Sequence, residues 1–411
     1  SAGNTFRSIY RAYPTVIAQY PNGYYSTGVE NQNPVVLGTN MGGTTSNPTS
    51  IFNGILRASY NLPFVDGLSV DGFYSVDKSF NFSKSFSMPY TLYNYNKTTQ
   101  AYTGVVTGGS AGAASIDQSQ LNITNITQNL RLNYLKTIGK HNINAFVAYE
   151  QNRRNEAKFG ATRINFPTTS TPELSQGGAA ATDKNNSGSS FNFTRRSYIG
   201  RLAYNYNEKY LAEVQARVDG SSVFPKGKQY GFFPSVSAGY RISEEDWFKN
   251  SVNFIDDLKF RASYGTLGND NVGQFQFYNN YSFVNQYVLG NNVISPGIDL
   301  TKLANPNITW ETSKKLDLGL NAVFLKNFNI EVIYFKQQRS DILAARNASI
   351  PNTSGIVNPF KTNDNTPLVP DENLGKVNNS GVEATLGYSR NGRFRYNISG
   401  NITYAKSKVI F

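Results

Sequence analysis

The sequence has 411 residues, with 39 Lys and Arg against 27 Asp and Glu, no cysteine and one histidine, His141. Without cysteine the chain cannot form a disulfide framework, a thiolate nucleophile, an iron–sulfur cluster or a cysteine-type zinc site. A single histidine excludes a multi-histidine metal site, and its place at a predicted tight turn favours a structural or solvated role over a catalytic one. We therefore predict that the chain is not an enzyme and carries no cofactor.

The net charge is +12 and the mean hydropathy is −0.43. Lys and Arg are scattered singly, without a dense basic stretch or a recognition motif, so the charge does not indicate a nucleic-acid partner. No apolar run approaches 18 residues, which excludes a transmembrane helix. A membrane-spanning barrel is still compatible with the composition, because its strands need an apolar residue only at every second position.

Apolar and polar residues alternate with period two along most of the chain. The pattern is clearest in segments 198–207, 210–219 and 394–404, each of which predicts a β-strand with one apolar and one polar face. Several runs are about ten residues long, the length that crosses a bilayer when tilted. Comparable runs begin near Leu56, Leu68, Gln128, Asn142, Phe233, Leu258, Lys315, Ile330 and Val382, with a weaker candidate between Gln274 and Val288.

Short and long connections alternate along the chain. Segments 137–141, 206–209 and 325–328 are short, whereas four polar stretches are long: 80–126, 152–196, 266–311 and 339–380. Compact soluble domains rarely carry several loops of that size. An outer-membrane barrel has tight periplasmic turns at one rim and long extracellular loops at the other.

These patterns predict an all-β fold, a transmembrane antiparallel β-barrel with long extracellular loops and short periplasmic turns. A pair of soluble β-sandwiches is the alternative, but sandwich strands are usually shorter and their turns follow no fixed order of length. The aromatic residues support the barrel, because six of them fall at predicted strand ends on the apolar faces, where they would form girdles at the membrane interfaces. These six are Tyr198, Tyr206, Tyr210, Tyr388, Phe394 and Tyr404.

The polar faces of the predicted strands carry charged residues that would project into the lumen of a barrel. Such a lumen must be filled with water or with a domain that pairs with the charges, because an unpaired charge in a dry interior is costly. The residue pattern alone leaves both an aqueous porin wall and a plug-contacting wall open. The predicted lumen-facing residues are Arg131, Arg201, Glu213, Arg217, Lys259, Arg261 and Glu383.

Two acidic groups were weighed as sites. Glu244, Glu245 and Asp246 are consecutive and lack the spaced ligands of a calcium loop, so we interpret them as a solvated turn with Trp247 as an aromatic anchor. Asp256 and Asp257 are adjacent on a predicted strand and should face opposite ways, which argues against a catalytic carboxylate pair.

A series of short motifs covers most of 198–404 in the second half of the chain. They are Asp219-Gly220-Ser221-Ser222, Phe224, Gly231-Phe232-Phe233-Pro234-Ser235, Arg241-Ile242-Ser243-Glu244-Glu245, Leu258 to Gly265, Gly268-Asn269, Asn305-Pro306, Trp310-Glu311 and Asn379-Ser380-Gly381-Val382-Glu383. In these motifs and in their order, the chain resembles the SusC/RagA-like branch of TonB-dependent transporters.

The resemblance implies a 22-stranded barrel in the outer membrane of a Bacteroidetes-type cell, plugged by an N-terminal domain. It implies a SusD-like surface lipoprotein as a lid, energy delivered through TonB, and import of glycans, oligosaccharides or peptides. Substrate contacts are then expected in the long stretches 80–126, 152–196, 266–311 and 339–380.

The sequence shows no plug domain and no signal peptide, and fewer strands than 22. We therefore interpret residues 1–411 as an internal portion of one barrel domain, without the plug and the final strands. A passive porin and a secreted β-rich glycan-binding or adhesin module remain as alternative functions.

Overall fold

A computed structural model describes residues 2–110, 112–290, 293–344, 369–390 and 392–410. The chain divides into two compact units. The first comprises Ser1–Gly54, Ser75–Ile126 and Arg154–Asn192, and the second comprises Ile55–Tyr74, Thr127–Arg153 and Phe193–Phe411.

Strands dominate the described part of the chain. The helices are α1 (Ala2–Arg11), α2 (Pro34–Leu37) and α3 (Asp246–Ser251), with 3-10 turns at Leu174–Gln176, Ala181–Asp183 and Ile242–Glu244. The strands are β1 (Gly43–Ser46), β2 (Thr49–Asn61), β3 (Leu68–Ser87), β4 (Pro89–Asn96), β5 (Ala101–Gly108), β6 (Ser115–Ile138), β7 (His141–Ile164), β8 (Lys184–Tyr206), β9 (Tyr210–Ser221), β10 (Tyr230–Arg241), β11 (Ile255–Asn269), β12 (Asn280–Leu289), β13 (Val293–Lys302), β14 (Glu311–Phe324), β15 (Phe328–Ala344), β16 (Glu372–Arg390) and β17 (Tyr396–Val409). None of the helices in these described ranges is long and apolar enough to cross a membrane.

Among the described residues, thirteen strands form one sheet in the order β1-β3-β6-β7-β8-β9-β10-β11-β14-β15-β16-β17, with β2 beside β3. Two further hairpins, β4–β5 and β12–β13, stand outside this order. From β8 to β17 each sheet neighbour pairs antiparallel with the next. The all-β antiparallel prediction is therefore confirmed.

The register of the second unit gives the sheet two chemically different faces. One row crosses seven strands and is entirely apolar or aromatic: Tyr210, Tyr240, Phe260, Leu320, Val332, Ala384 and Ile402. The neighbouring row crosses six strands on the opposite face and is polar: Arg241, Lys259, Asn321, Glu331, Thr385 and Asn401. Because successive strand residues point to opposite faces, these two adjacent rows lie on opposite faces of the sheet.

The apolar face is exposed on the chain. Val214 is 54% exposed and Val236 is 50% exposed, although both lie in the middle of long strands. A soluble sheet would cover such a face with helices or a second sheet. The exposed apolar face is the arrangement that a barrel presents to lipid.

Each unit has one small buried cluster among the described residues. In the first unit it consists of Phe86, Ala114 and Ile116, with Phe166 packed edge-on against Phe86 at a centroid distance of 5.2 Å. In the second unit it consists of Val223, Phe224, Phe233, Ile308 and Trp310.

The predicted runs all overlap observed strands, although the weaker candidate at 274–288 is a strand only from Asn280 and the run at 394–404 only from Tyr396. The structure also corrects the lengths of the strands. β8 begins at Lys184, well inside the stretch 152–196 that was expected to be a loop, and β7 continues into the same stretch as far as Ile164. β3 and β6 likewise shorten 80–126, which also holds the β4–β5 hairpin. Polar strands that face water on both sides have no apolar alternation, so the period-two test misses them.

The other two expected loops are also shorter than predicted. β11 extends to Asn269, and the hairpin β12–β13 occupies much of 266–311. In the stretch 339–380, β15 continues to Ala344 and β16 begins at Glu372, while 345–368 lie outside the described residues. The short connections are confirmed, since residues 139–140, 207–209 and 325–327 join neighbouring strands.

Candidate functional site: the charged face of the sheet

Six of the seven residues predicted to face a lumen share one face of the sheet by register. The pairings Arg201 with Gln215 and Ala203 with Glu213 place Arg201 and Glu213 on one face of β8 and β9. The row through Leu211, Gly239, Arg261, Ile333 and Glu383 continues the same face to β16. Lys259 and Arg217 lie on it as well.

Four of the predicted residues line one cavity of about 610 Å³ on this face: Arg201, Glu213, Lys259 and Arg261. The remaining wall includes Asn144, Asn205, Ser237, Ser263 and Asp317. The wall therefore carries both signs of charge, and it also contains apolar side chains such as Leu135, Ile143 and Leu211. Arg131, Arg217 and Glu383 are not among the described residues that line this cavity.

Ion pairs neutralise most of these charges. Nη2 of Arg201 is 2.7 Å from Oε2 of Glu213 across the β8–β9 pairing. Nη2 of Arg261 is 2.5 Å from Oε1 of Glu331, and its Nε donates to Oδ1 of Asn321 at 3.0 Å. These side chains are about a third exposed, so each pair contributes modestly to stability and mainly fixes the side chains in position.

Two other predicted residues are paired outside the cavity. Nη2 of Arg131 is 2.9 Å from Oδ2 of Asp71, and its guanidinium carbon lies 5.5 Å from the ring centroid of Phe146. Nη2 of Arg217 is 2.9 Å from Oδ1 of Asp219.

Sequence reasoning missed the acidic partners on β14 and β15. Asp317 lies in the cavity wall, where one carboxylate oxygen is 3.2 Å from Nζ of Lys315 and the other is buried with no hydrogen-bond partner among the described residues. Glu331 closes the network with Arg261 and Asn321. The sequence does contain a signal for Glu331, because it lies between Ile330 and Val332 and the alternation of apolar and polar residues places it on the polar face.

The acidic groups that were set aside as sites have local partners. Glu244 accepts from Nζ of Lys249 at 2.6 Å, which holds the pKa of Glu244 below its ordinary value. Asp257 accepts from Arg241 and Ser243, whereas Asp256 accepts from the backbone amide of Lys326. The two aspartates therefore have different partners, and the described residues contain no cluster of metal-ligating groups.

The acidic turn is more ordered than predicted, since it consists of a 3-10 turn followed by α3. Trp247 is exposed beside Phe248, which is buried. The aromatic residues near this rim form a ladder, with Tyr206, Tyr210 and Tyr240 at successive centroid distances of 6.4 and 5.2 Å.

A second group of aromatic contacts lies on β15 to β17, where the ring centroid of Tyr388 is 4.7 Å from that of Phe328 and 5.8 Å from that of Tyr396. Phe394 contacts Tyr396 as well, at 5.8 Å. Tyr198 and Tyr404, which were expected at strand ends, lie inside β8 and β17, because both strands run on past them.

Residues that carried the family resemblance converge on the buried cluster of the second unit. Trp310 packs against Phe224 and Phe233 at centroid distances of 5.1 and 5.3 Å, and its Nε1 donates to the carbonyl of Gln229 at 3.1 Å. A Cβ on Gly268 would lie 2.0 Å from the Phe233 ring, so any other residue there would require the ring to move. These motifs therefore build a structural core.

Residues 3–410 match the protein family described as "TonB dependent receptor-like, beta-barrel". The chain belongs to this family. TonB-dependent receptor P3 of Formosa agariphila is 30% identical over 416 residues, which cover 99% of the chain and 38% of that receptor. TonB-dependent receptor SusC of Bacteroides thetaiotaomicron is 29% identical over 300 residues, covering 69% of the chain and 27% of SusC.

Solved structures agree with this assignment of the fold. The RagAB peptide importer in its "closed-closed" state superposes with a TM-score of 0.73 at 18% identity, over 95% of the chain and 40% of that structure's chain. The RagAB peptide transporter gives a TM-score of 0.70 at 19% identity, over 89% of the chain and 37% of that structure's chain. The receptor barrel described here thus spans about two fifths or less of the length of these relatives.

Proposed function

We propose that the protein containing this chain imports large nutrients across the outer membrane with energy delivered through TonB. The observation that supports the proposal best is the two-faced sheet in a chain of the TonB-dependent receptor family. One face is apolar and exposed, as lipid contact requires, and the other carries paired charges around a cavity of about 610 Å³. Such a wall passes or holds polar material and performs no chemistry of its own.

The charged face would contact a plug domain. The seven residues predicted to face the lumen would form this contact, and four of them line the cavity together with Asp317. One buried oxygen of Asp317 lacks a partner among the described residues, and a buried acceptor without a hydrogen bond is unfavourable. A donor from a plug domain or a lumen water would satisfy it. This proposal includes our interpretation that the chain is an internal portion of one longer barrel domain.

The partner and cargo follow from similarity to the named relatives. The likeness to SusC, and to the RagAB peptide importer in fold, supports a SusD-like surface lipoprotein as a lid over the extracellular loops. The cargo would be an oligosaccharide or a peptide, held in the stretches 80–126, 152–196, 266–311 and 339–380. The cell would be of Bacteroidetes type, as the organisms of both curated relatives suggest.

An uptake experiment tests the proposal. The full-length gene is deleted, and growth on oligosaccharide or peptide as sole nutrient is compared with growth of the parent and of a TonB deletion. We expect the receptor and TonB deletions to abolish growth on the same nutrient. Uptake that persists without TonB would favour a passive porin, and surface binding without uptake would favour an adhesin.

A further inference from the structure

Arg196 lies on the lipid-facing side of β8, beyond the apolar band. It pairs in register with Gly220 of β9, which pairs in turn with Tyr230 of β10. Because alternate strand residues share a face, Arg196 is on the same side as Tyr198 and Leu202. Both of these side chains are about half exposed, as the lipid-facing residues of this sheet are.

The depth of Arg196 follows from the geometry of the strand. Ten residues separate it from Tyr206, which belongs to the aromatic ladder beside the short turn 207–209. Ten steps of about 3.3 Å give about 33 Å along the strand, or about 25 Å along the membrane normal at a tilt of about 40°. The apolar band of such barrels is about 25 Å tall. Arg196 therefore lies at the far interface, at the extracellular rim, among lipid headgroups.

Tyrosine side chains surround the Arg196 guanidinium. The guanidinium has a side-chain hydrogen bond with Tyr198 and lies close to Tyr149 and Tyr230, and the rings of Tyr149 and Tyr198 are 5.5 Å apart. The Tyr230 ring lies over Gly220, where a Cβ would come within 2.5 Å of it. Glycine thus lets the ring approach the strand that carries Arg196. Gln151, Thr194 and Ser222 complete the wall of a polar cavity of about 270 Å³ beside these groups.

The neighbouring arginine, Arg195, has a carboxylate partner, whereas Arg196 has none among the described residues. Arg195, on the opposite face, binds the carboxylate of Asp270 through two nitrogens and lies 4.8 Å from the ring centroid of Phe193. Within the described part of the chain, Arg196 forms no ion pair with a carboxylate. A planar guanidinium without a carboxylate partner can donate two parallel hydrogen bonds to a phosphate group, and the hydroxyl of Tyr230 in the same cavity wall can donate another.

We propose that Arg196, Tyr230 and the adjoining cavity bind the phosphate group of an anionic membrane lipid at the extracellular rim of the barrel. The guanidinium would donate two hydrogen bonds to phosphate oxygens, with a third from the Tyr230 hydroxyl. The inference depends on the membrane-spanning fold and is independent of the cargo and of TonB.

Lipid retention measures this site directly. The full-length receptor is reconstituted in phosphatidylcholine nanodiscs containing phosphatidic acid, and the retained lipids are counted by native mass spectrometry. We expect wild type to retain phosphatidic acid in preference to phosphatidylcholine, and Arg196→Gln to bind it about tenfold more weakly, as the loss of a charge-assisted hydrogen-bond pair implies. Lys140→Gln removes the same charge from the turn at the opposite rim and should retain lipid as wild type does.

Two further variants keep the test decisive if Arg196→Gln fails to fold, which heat-dependent gel mobility reveals. Arg196→Lys keeps the charge without the planar fork, and Tyr230→Phe keeps the ring without the hydroxyl, so both should bind phosphatidic acid more weakly than wild type. Unchanged retention in the folded variants would overturn the proposal, as would an equal loss in Lys140→Gln. Displacement of phosphatidic acid by an equal concentration of inorganic phosphate would also overturn it, in favour of a soluble anion.

Discussion

Apolar side chains serve two different purposes in two regions of the second unit. On the outward face of β8–β17, residues such as Val214 and Val236 are half exposed, whereas Phe224 and Trp310 in the buried cluster are 0% and 7% exposed. The first group is apolar because its solvent is lipid. The second is apolar because it packs against itself, as the core of a soluble protein does.

The contrast teaches that position in the sheet, and not residue type, decides what a substitution costs. Lipid is as apolar as a protein core, so shortening an outward side chain loses little. Shortening a cluster side chain leaves a cavity, and making an outward side chain charged places an ion in hydrocarbon.

Trp310→Ala should have the largest effect. It removes the ring that contacts Phe224 and Phe233 and the hydrogen bond to Gln229. Truncation of a buried aromatic residue typically costs about 3–5 kcal/mol. The free energy of unfolding, measured by denaturant titration of the receptor in lipid vesicles, should fall by that amount. Val236→Ala on the outward face is the matched control, and an equal loss there would contradict the comparison.

Val214→Arg should follow in size. Val214 pairs with Leu202, four residues from Tyr206 and six from Arg196, and so lies near the middle of the apolar band. Arginine at the bilayer midplane of a barrel costs about 2–4 kcal/mol. Gln215→Arg, one residue along and on the charged face, should cost much less in the same vesicles. Similar losses for the two variants would mean that the faces are assigned wrongly.

Gly268→Ala sharpens the description of the buried cluster with a single methyl group. The added Cβ would meet the Phe233 ring, which would have to move away from Trp310. Overpacking of this kind costs about 1–3 kcal/mol. Gly200→Ala on the outward face, where a Cβ meets nothing within 4 Å, serves as the control and should leave the unfolding midpoint unchanged. A neutral Gly268→Ala would indicate that the cluster is loosely packed.

The sequence predicted the fold of the lipid-facing region well, because the alternation of apolar and polar residues in a strand is visible in the local sequence. It predicted Arg201, Glu213 and Arg261 on one face for the same reason. It could not predict that Phe224, Phe233 and Trp310 meet, since those residues come from different strands and loops. Nor could it delimit β7 and β8 beyond the membrane band, where both faces are polar and the backbone pairing alone defines the strand.

The acidic turn, which contains Glu244, Glu245 and Asp246, belongs neither to the outward apolar face nor to the buried cluster. We expect this turn to open only when a carboxylate is protonated. Hydrogen bonds from Tyr210 and Lys209 hold the pKa of Glu245 below its ordinary value. Since the folded pKa is the lower one, the stabilisation is complete above the ordinary glutamate pKa of about 4.3 and is lost as the pH falls through the folded value.

Hydrogen exchange of segment 242–252, corrected for the intrinsic effect of pH, should therefore rise as the pH falls below about 4.3. Other periplasmic turns, such as 139–140, should not respond in this range. Glu245→Gln removes the titrating group, so its exchange should already be raised at neutral pH and should change less on acidification. A wild-type response that survives unaltered in Glu245→Gln would assign the effect to Glu244, whose partners are Lys249 and Arg241.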